Sequence, residues 1–126
     1  MSYSSLCLSF DLKRHRITIY RSVLSHLKDP SHVDFLYDED RNILVITAST
    51  TKTTTTFAVP KRVYSEGKFQ CVIYRRAFTE SLQKRLNWEN GELYRVLGNY
   101  SPELNVIAFE LNKAEKVDGV EFSITD

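Results

Sequence analysis

A chain of 126 residues is about one domain long and can bury one sizeable core but not two. With 42% hydrophobic and 26% charged residues and only 4 Gly and 3 Pro, the composition excludes wholesale disorder, collagen and low-complexity classes. A net charge of +1 provides no overall field to recruit nucleic acid or an anionic membrane, so any electrostatic role must come from how the charge is distributed.

The N-terminal Met1–Phe10 stretch lacks the basic start and continuous apolar centre of a signal peptide, and Asp11 to Arg16 follow at once. Apolar runs such as Asn105–Phe109 are strand-sized, far below the roughly 20 residues of a membrane helix. The expectation is therefore a cytoplasmic protein with no membrane partner. In that compartment Cys7 and Cys71 read as small buried hydrophobes rather than a disulfide.

In chain order, Arg16–Tyr20 alternates like a strand, Arg21–Lys28 reads as a short helix, and Asp29-Pro30 stops it. Val33–Tyr37 and Asn42–Thr47 flank the turn-rich Asp38–Arg41, a hairpin signal. Seven threonines then crowd Thr47–Thr56, compatible with a twisted strand, an edge hairpin or a linker, and Phe57–Pro60 resumes an apolar strand ended or edged by proline. Phe69–Tyr74 is again strand-like, and Arg75–Leu86 is helical. Phe78, Leu82 and Leu86 lie on one face of that helix, and Glu80 and Lys84 are spaced for an ion pair. Glu92–Leu97 and Asn105–Leu111 flank a turn expected at Gly98–Pro102. Strand, helix and hairpin thus occur twice. Ile19-Tyr20-Arg21 superposes on Ile73-Tyr74-Arg75, and Ile43 on Val106. The expected fold is α+β: a single domain over 1–126 with pseudo-repeats at about 13–48 and 69–112, joined by the Thr-rich segment 47–60. Two βαββ units would form one mostly antiparallel, barrel-like sheet with two short helices near 22–28 and 76–87.

His15-Arg-Ile-Thr-Ile-Tyr20, the helix Val23–Leu27 and the hairpin Val33–Thr47 resemble the βαββ unit of the AbrB-like swapped-hairpin transcription factors and antitoxins. In that family a Gly-Arg-Val-Thr-Ile-Pro type strand leads into a helix ending in Leu-Gly and then an acidic hairpin. Here Tyr20 and Tyr74 replace the proline, Lys28 the glycine and Gln70 the strand-opening arginine. The similarity covers 32 or so residues well and the stretch from 70 to 111 loosely. It implies DNA binding and a barrel closed from two units. Because one chain carries both, it also implies a monomeric pseudo-dimer.

Charge follows the same repeat. Residues 13–28 carry +5, 34–40 carry −4, 61–85 carry +5 and 103–126 carry −4. Lys13, Arg14, Arg16 and Arg21 in the first basic stretch, and Arg75, Arg76, Lys84 and Arg85 in the second, are the candidate nucleic-acid contacts, because guanidinium and ammonium donors suit phosphate oxygens and base edges. Packed about a pseudo-twofold, the two groups would share a face, with the acidic hairpins pointing elsewhere. The same charges could instead solvate a surface and pair with the acids. His15, His26 and His32 have no metal-site spacing, Asp38–Asp40 reads as a solvated hairpin tip, and there is no phosphate loop or nucleophile elbow. No enzyme activity, metal or cofactor is expected. The functional reading is a DNA-binding regulator of AbrB-like type acting on duplex DNA. The alternative is a phage- or mobile-element interaction protein that inhibits a host protein such as a defence nuclease, with Tyr37, Tyr64, Tyr94 and Tyr100 as interface anchors.

Overall fold

The structure, a computed structural model, describes residues 6–117. The N-terminal stretch up to residue 5 and three of the six acids of the 103–126 window lie outside the described residues. The chain runs β1 (Cys7–Asp11), β2 (Arg16–Tyr20), α1 (Arg21–His26), β3 (His32–Asp38), β4 (Ile43–Ser49), β5 (Thr56–Ala58), α2 (Lys61–Ser65), β6 (Gln70–Tyr74), α3 (Arg76–Leu86), β7 (Leu93–Ser101), β8 (Val106–Glu110), a 3-10 turn (Leu111–Lys113) and β9 (Glu115–Lys116). Among the described residues eight strands pair in the order β5-β3-β4-β8-β7-β1-β2-β6, with β9 added beside β7. Every pair is antiparallel, and the sheet curls into a nearly closed barrel whose ends are β5 and β6. Among the described residues, no helix is long and apolar enough to cross a membrane.

Alternation decides which side of each strand faces inward. Ile17 and Ile19, Leu44 and Ile46, Ile107 and Phe109 point into the barrel and are fully buried, while Arg16, Tyr20, Val45 and Ala108 lie on the other face. Val23 and Leu24 from α1, Val63 from α2 and Leu82 from α3 complete the core. Trp88 stacks on Tyr94 at 4.6 Å and meets Phe10 at 5.5 Å, so the chain after α3 is sealed by aromatic contact. Turns form where backbone sterics favour them. Asn42 and Asn105 close the β3–β4 and β7–β8 hairpins at φ 54° and 53°, and Asn87 ends α3 at φ 55°. Lys28 and Asp29 also adopt positive φ, which stops α1 short of Pro30.

The registers obey simple shifts. A shift of 63 residues carries Tyr37↔Leu44 onto Tyr100↔Ile107 and Phe35↔Ile46 onto Gly98↔Phe109, so both hairpins are paired alike. The same shift takes Val45 to Ala108, and these two face each other where β4 meets β8. A shift of 54 takes Thr18 to Val72, which face each other where β2 meets β6. Past the ends of that ladder the Arg21 N–H donates to Phe69 O (2.7 Å) and the Arg75 N–H to His15 O (3.1 Å), again related by 54.

Three expectations are corrected. The described residues hold three short helices rather than two: Pro60 opens α2 instead of simply ending a strand, because its fixed φ suits a helix start and Val63 finds core to bury in. Gly98 is not a turn residue. It sits within β7, where a Cβ would lie 2.5 Å from the Phe109 ring, and the hairpin reverses after Ser101. Glu80 pairs with Arg76, one turn back, rather than with Lys84. The Thr-rich segment divides, Thr47–Ser49 finishing β4 and Thr56 beginning the edge strand β5, with a hydroxyl-bonded turn between them.

Candidate nucleic-acid interface

Asp11 builds the β1–β2 turn. Its Oδ1 accepts the N–H groups of Lys13 and Arg14, each at 3.0 Å, while Oδ2 receives Arg14 Nη1 at 3.1 Å and lies 3.4 Å from Arg16 Nε. Burial alone would raise the Asp11 carboxyl, but the Arg14 amide and guanidinium and the Lys13 amide outweigh it and hold the group below its ordinary value. His15 then turns at φ 54°, and its Nδ1 lies 3.0 Å from Thr79 Oγ1 on α3. Because β2 and β6 are antiparallel, Arg16 stands opposite Tyr74, and the β1–β2 turn meets the β6–α3 junction. There Arg76 Nε donates to Glu80 Oε2 at 2.9 Å. That bond, with the nearby charges of Arg76, His15 and Lys84, keeps the Glu80 carboxyl below its usual range.

Five of the eight candidate residues, Lys13, Arg14, Arg16, Arg75 and Arg76, therefore converge at one end of the β2–β6 ladder, with Lys84 further along α3. Among the described residues those six cations form ion pairs with Asp11 and Glu80 alone, an excess of +4 over their ion-pair partners in a chain whose total is +1. A shallow groove of about 300 Å³, lined by Arg14, Arg16, Thr18, Tyr20 and Gln70 among others, runs along the outer face beside it. The remaining two candidates lie elsewhere. Arg21 is at the opposite end of the ladder, ion-paired with Asp29 at 2.6 Å and stacked over Tyr64. Arg85 pairs with Glu39 of the acidic β3–β4 tip. Six of the eight cations expected on a common face thus gather at one end, since antiparallel pairing sets the start of one segment against the end of the other, while Arg21 and Arg85 do not join them. The acidic tip does not point away from the bases either, because Glu39 is held by Arg85.

Comparison with protein-family models, with curated proteins and with solved structures returned no match. The site therefore stands on its own geometry.

The four tyrosines expected as interface anchors are engaged internally. Tyr37 and Tyr100 donate to Asn42 and Asn105 Oδ1 (2.6 and 3.1 Å), Tyr64 donates to Pro30 O (2.6 Å), and Tyr94 accepts the Glu89 N–H (2.8 Å). Burial, reinforced by Asp29, pushes the Tyr64 phenol up to about 12. Among the described residues the exposed aromatics are instead Phe69 (84%) and Tyr74 (65%), which flank the open β6 edge. Sequence reading passed over Tyr74, Gln70 and His15 as site residues. The outward parity of Tyr74 and Gln70 on an alternating strand is the signal that would have singled them out. The three histidines are spread apart: His26 bonds Ser22 O and meets the Tyr100 ring, and His32 bonds Ser31. Among the described residues no group of three or more His, Cys, Asp or Glu could hold a metal ion. Cys7 and Cys71 are free and buried, and burial raises both thiols, Cys7 to about 11.

Proposed function

We propose that the protein is a non-enzymatic, cytoplasmic DNA-binding regulator of AbrB-like type, acting as a monomer in which two βαββ units of one chain make the barrel that family builds from two. The shared hairpin register and the self-matching β2–β6 and β4–β8 pairings support the two-unit reading. The observation that carries DNA binding is the concentration of Lys13, Arg14, Arg16, Arg75, Arg76 and Lys84 against two acids at one end of the ladder. In this reading the cations meet duplex phosphates, and Tyr74 and Gln70 on the adjoining outer face approach the groove edges.

The test changes Lys13, Arg75 and Arg76 to glutamine, sparing Arg14 and Arg16 because they hold Asp11. Each cation withdrawn from a phosphate should flatten the slope of log affinity against log salt by roughly 0.9, and Lys113→Gln, at the 3-10 turn, should leave it unchanged. Absence of duplex affinity at about 50 mM salt, where counterion release is strong, would sink the proposal.

A second reading, capture of a host protein, draws on Phe69 and Tyr74 beside the unpaired β6 edge. A nuclease-resistant, salt-insensitive complex in a lysate pulldown would favour it.

A further inference from the structure

Arg21 and Arg75 occupy corresponding places. Each follows the last residue of its strand, each N–H reaches a carbonyl across the β2–β6 ladder, and each guanidinium lies over an aromatic ring, Tyr64 at 4.8 Å and Phe57 at 4.5 Å. Their anionic partners differ. Asp29 grips Arg21 with both oxygens, at 2.6 and 3.3 Å, whereas Arg75 has no carboxylate partner among the described residues.

The difference coincides with a gap in the barrel. β1 pairs with both β7 and β2, which leaves Leu8 fully buried. β5 pairs with β3 as β1 does with β7, but it does not pair with β6, and Phe57, standing where Leu8 stands, remains only half-buried. Beside this seam opens a cleft of about 220 Å³ walled by Phe35, Tyr37, Leu44, Phe57 and Phe78, with Arg75 at its edge. Phe35 meets Phe57 edge-on at 4.8 Å and Tyr37 meets Phe78 at 5.7 Å, so the walls are aromatic and mutually braced. The Tyr37 hydroxyl is committed to Asn42, which leaves Arg75 as the charged group of the cleft.

We propose that this cleft binds a small planar aromatic carboxylate, its ring among the aromatic walls and its carboxylate on Arg75, in the role Asp29 fills for Arg21. Size supports a free small molecule. A cavity of roughly 150 Å³ holds a benzene ring, so this one takes one ring system with its substituent and little else. The inference does not depend on nucleic-acid binding, and its test contains none.

Isotope-labelled protein is titrated with indole-3-carboxylate, benzoate, the uncharged benzyl alcohol and an acetylated Phe-Glu peptide, following amide and aromatic shifts. Both aromatic carboxylates should give saturable shifts confined to the cleft residues and Arg75, and should bind more tightly than benzyl alcohol. Arg75→Gln, at an exposed position, should weaken the carboxylates roughly tenfold or more while leaving benzyl alcohol unchanged. Thr55→Trp, on the exposed lip, should block all three. Absence of saturable shifts at millimolar ligand, equal affinity for benzyl alcohol, or binding of the peptide alone would each overturn the proposal, the last in favour of a protein segment as the occupant.

Discussion

Asp11 shows how one carboxylate can set a turn. Its burial works against the charge, yet two amides and a guanidinium hold it ionised. A group with a lowered folded value contributes stability above its unfolded value, near 3.9, and loses that contribution as pH falls through the lower folded one. Urea unfolding should therefore show a plateau at neutral pH and a decline below about pH 4, and this part of the decline should vanish in Asp11→Asn, which keeps an acceptor but cannot titrate. Asp11→Ala leaves the Lys13 and Arg14 amides without their partner and should cost about 1–3 kcal/mol at pH 7. Equal stability of Asp11→Ala and the parent would refute this account of the turn.

At the level of elements, the two hairpins solve one register with different volumes. Phe35 faces Ile46 in the first, and at the corresponding places Gly98 faces Phe109 in the second, so the large ring has changed strands. Gly98→Ala places a methyl against that ring and against Ile107, and overpacking of this kind costs typically about 1–3 kcal/mol. Phe109→Leu should recover part of that cost in the double variant, a coupling readable from thermal unfolding of the four proteins. Additive effects would mean that the glycine is present for another reason. Strands such as Arg16–Tyr20 and Val106–Glu110 were legible in sequence because alternation is local, whereas β1 and β9 were not assigned. Gly98 misled because glycine signals a turn as readily as a close approach, and only the distant Phe109 distinguishes the two. α2 went unread because five residues with one buried valine give no helical period. The candidate cations were legible by type and a shared face was expected for them, but which of them would stand apart was not. That Arg85 meets Glu39 and His15 meets Thr79 is decided by strand order, not by neighbours in the chain.

For the whole molecule, the governing fact is that residues before the 50–55 turn pair mostly with residues after it. β1 with β7, β2 with β6, β3 with β5 and β4 with β8 all cross that turn, leaving β1–β2 and β3–β4 as the pairs internal to the first half. Cleavage at an engineered protease site after the exposed Lys52 should therefore leave two fragments that co-elute at the mass of the intact chain, 14.7 kDa, and separate only in denaturant. Fragments that part in plain buffer would show that these ladders do not hold the halves together. Light scattering of the uncut protein should give the same 14.7 kDa, and twice that value would count against a self-closed barrel.

The crossing ladders also bear on how the protein is made. While a ribosome adds residues at roughly 5–20 per second, the first half waits several seconds with the open edges of β1, β2 and β4 exposed, because their partners have not been synthesised. Two chains growing on one message could satisfy those edges from each other and finish as an exchanged pair with every native contact intact. Dilution during synthesis or refolding is thus part of what selects the single-chain product, and refolding from urea at increasing concentration should show a rising fraction at double mass that does not revert when the folded sample is diluted.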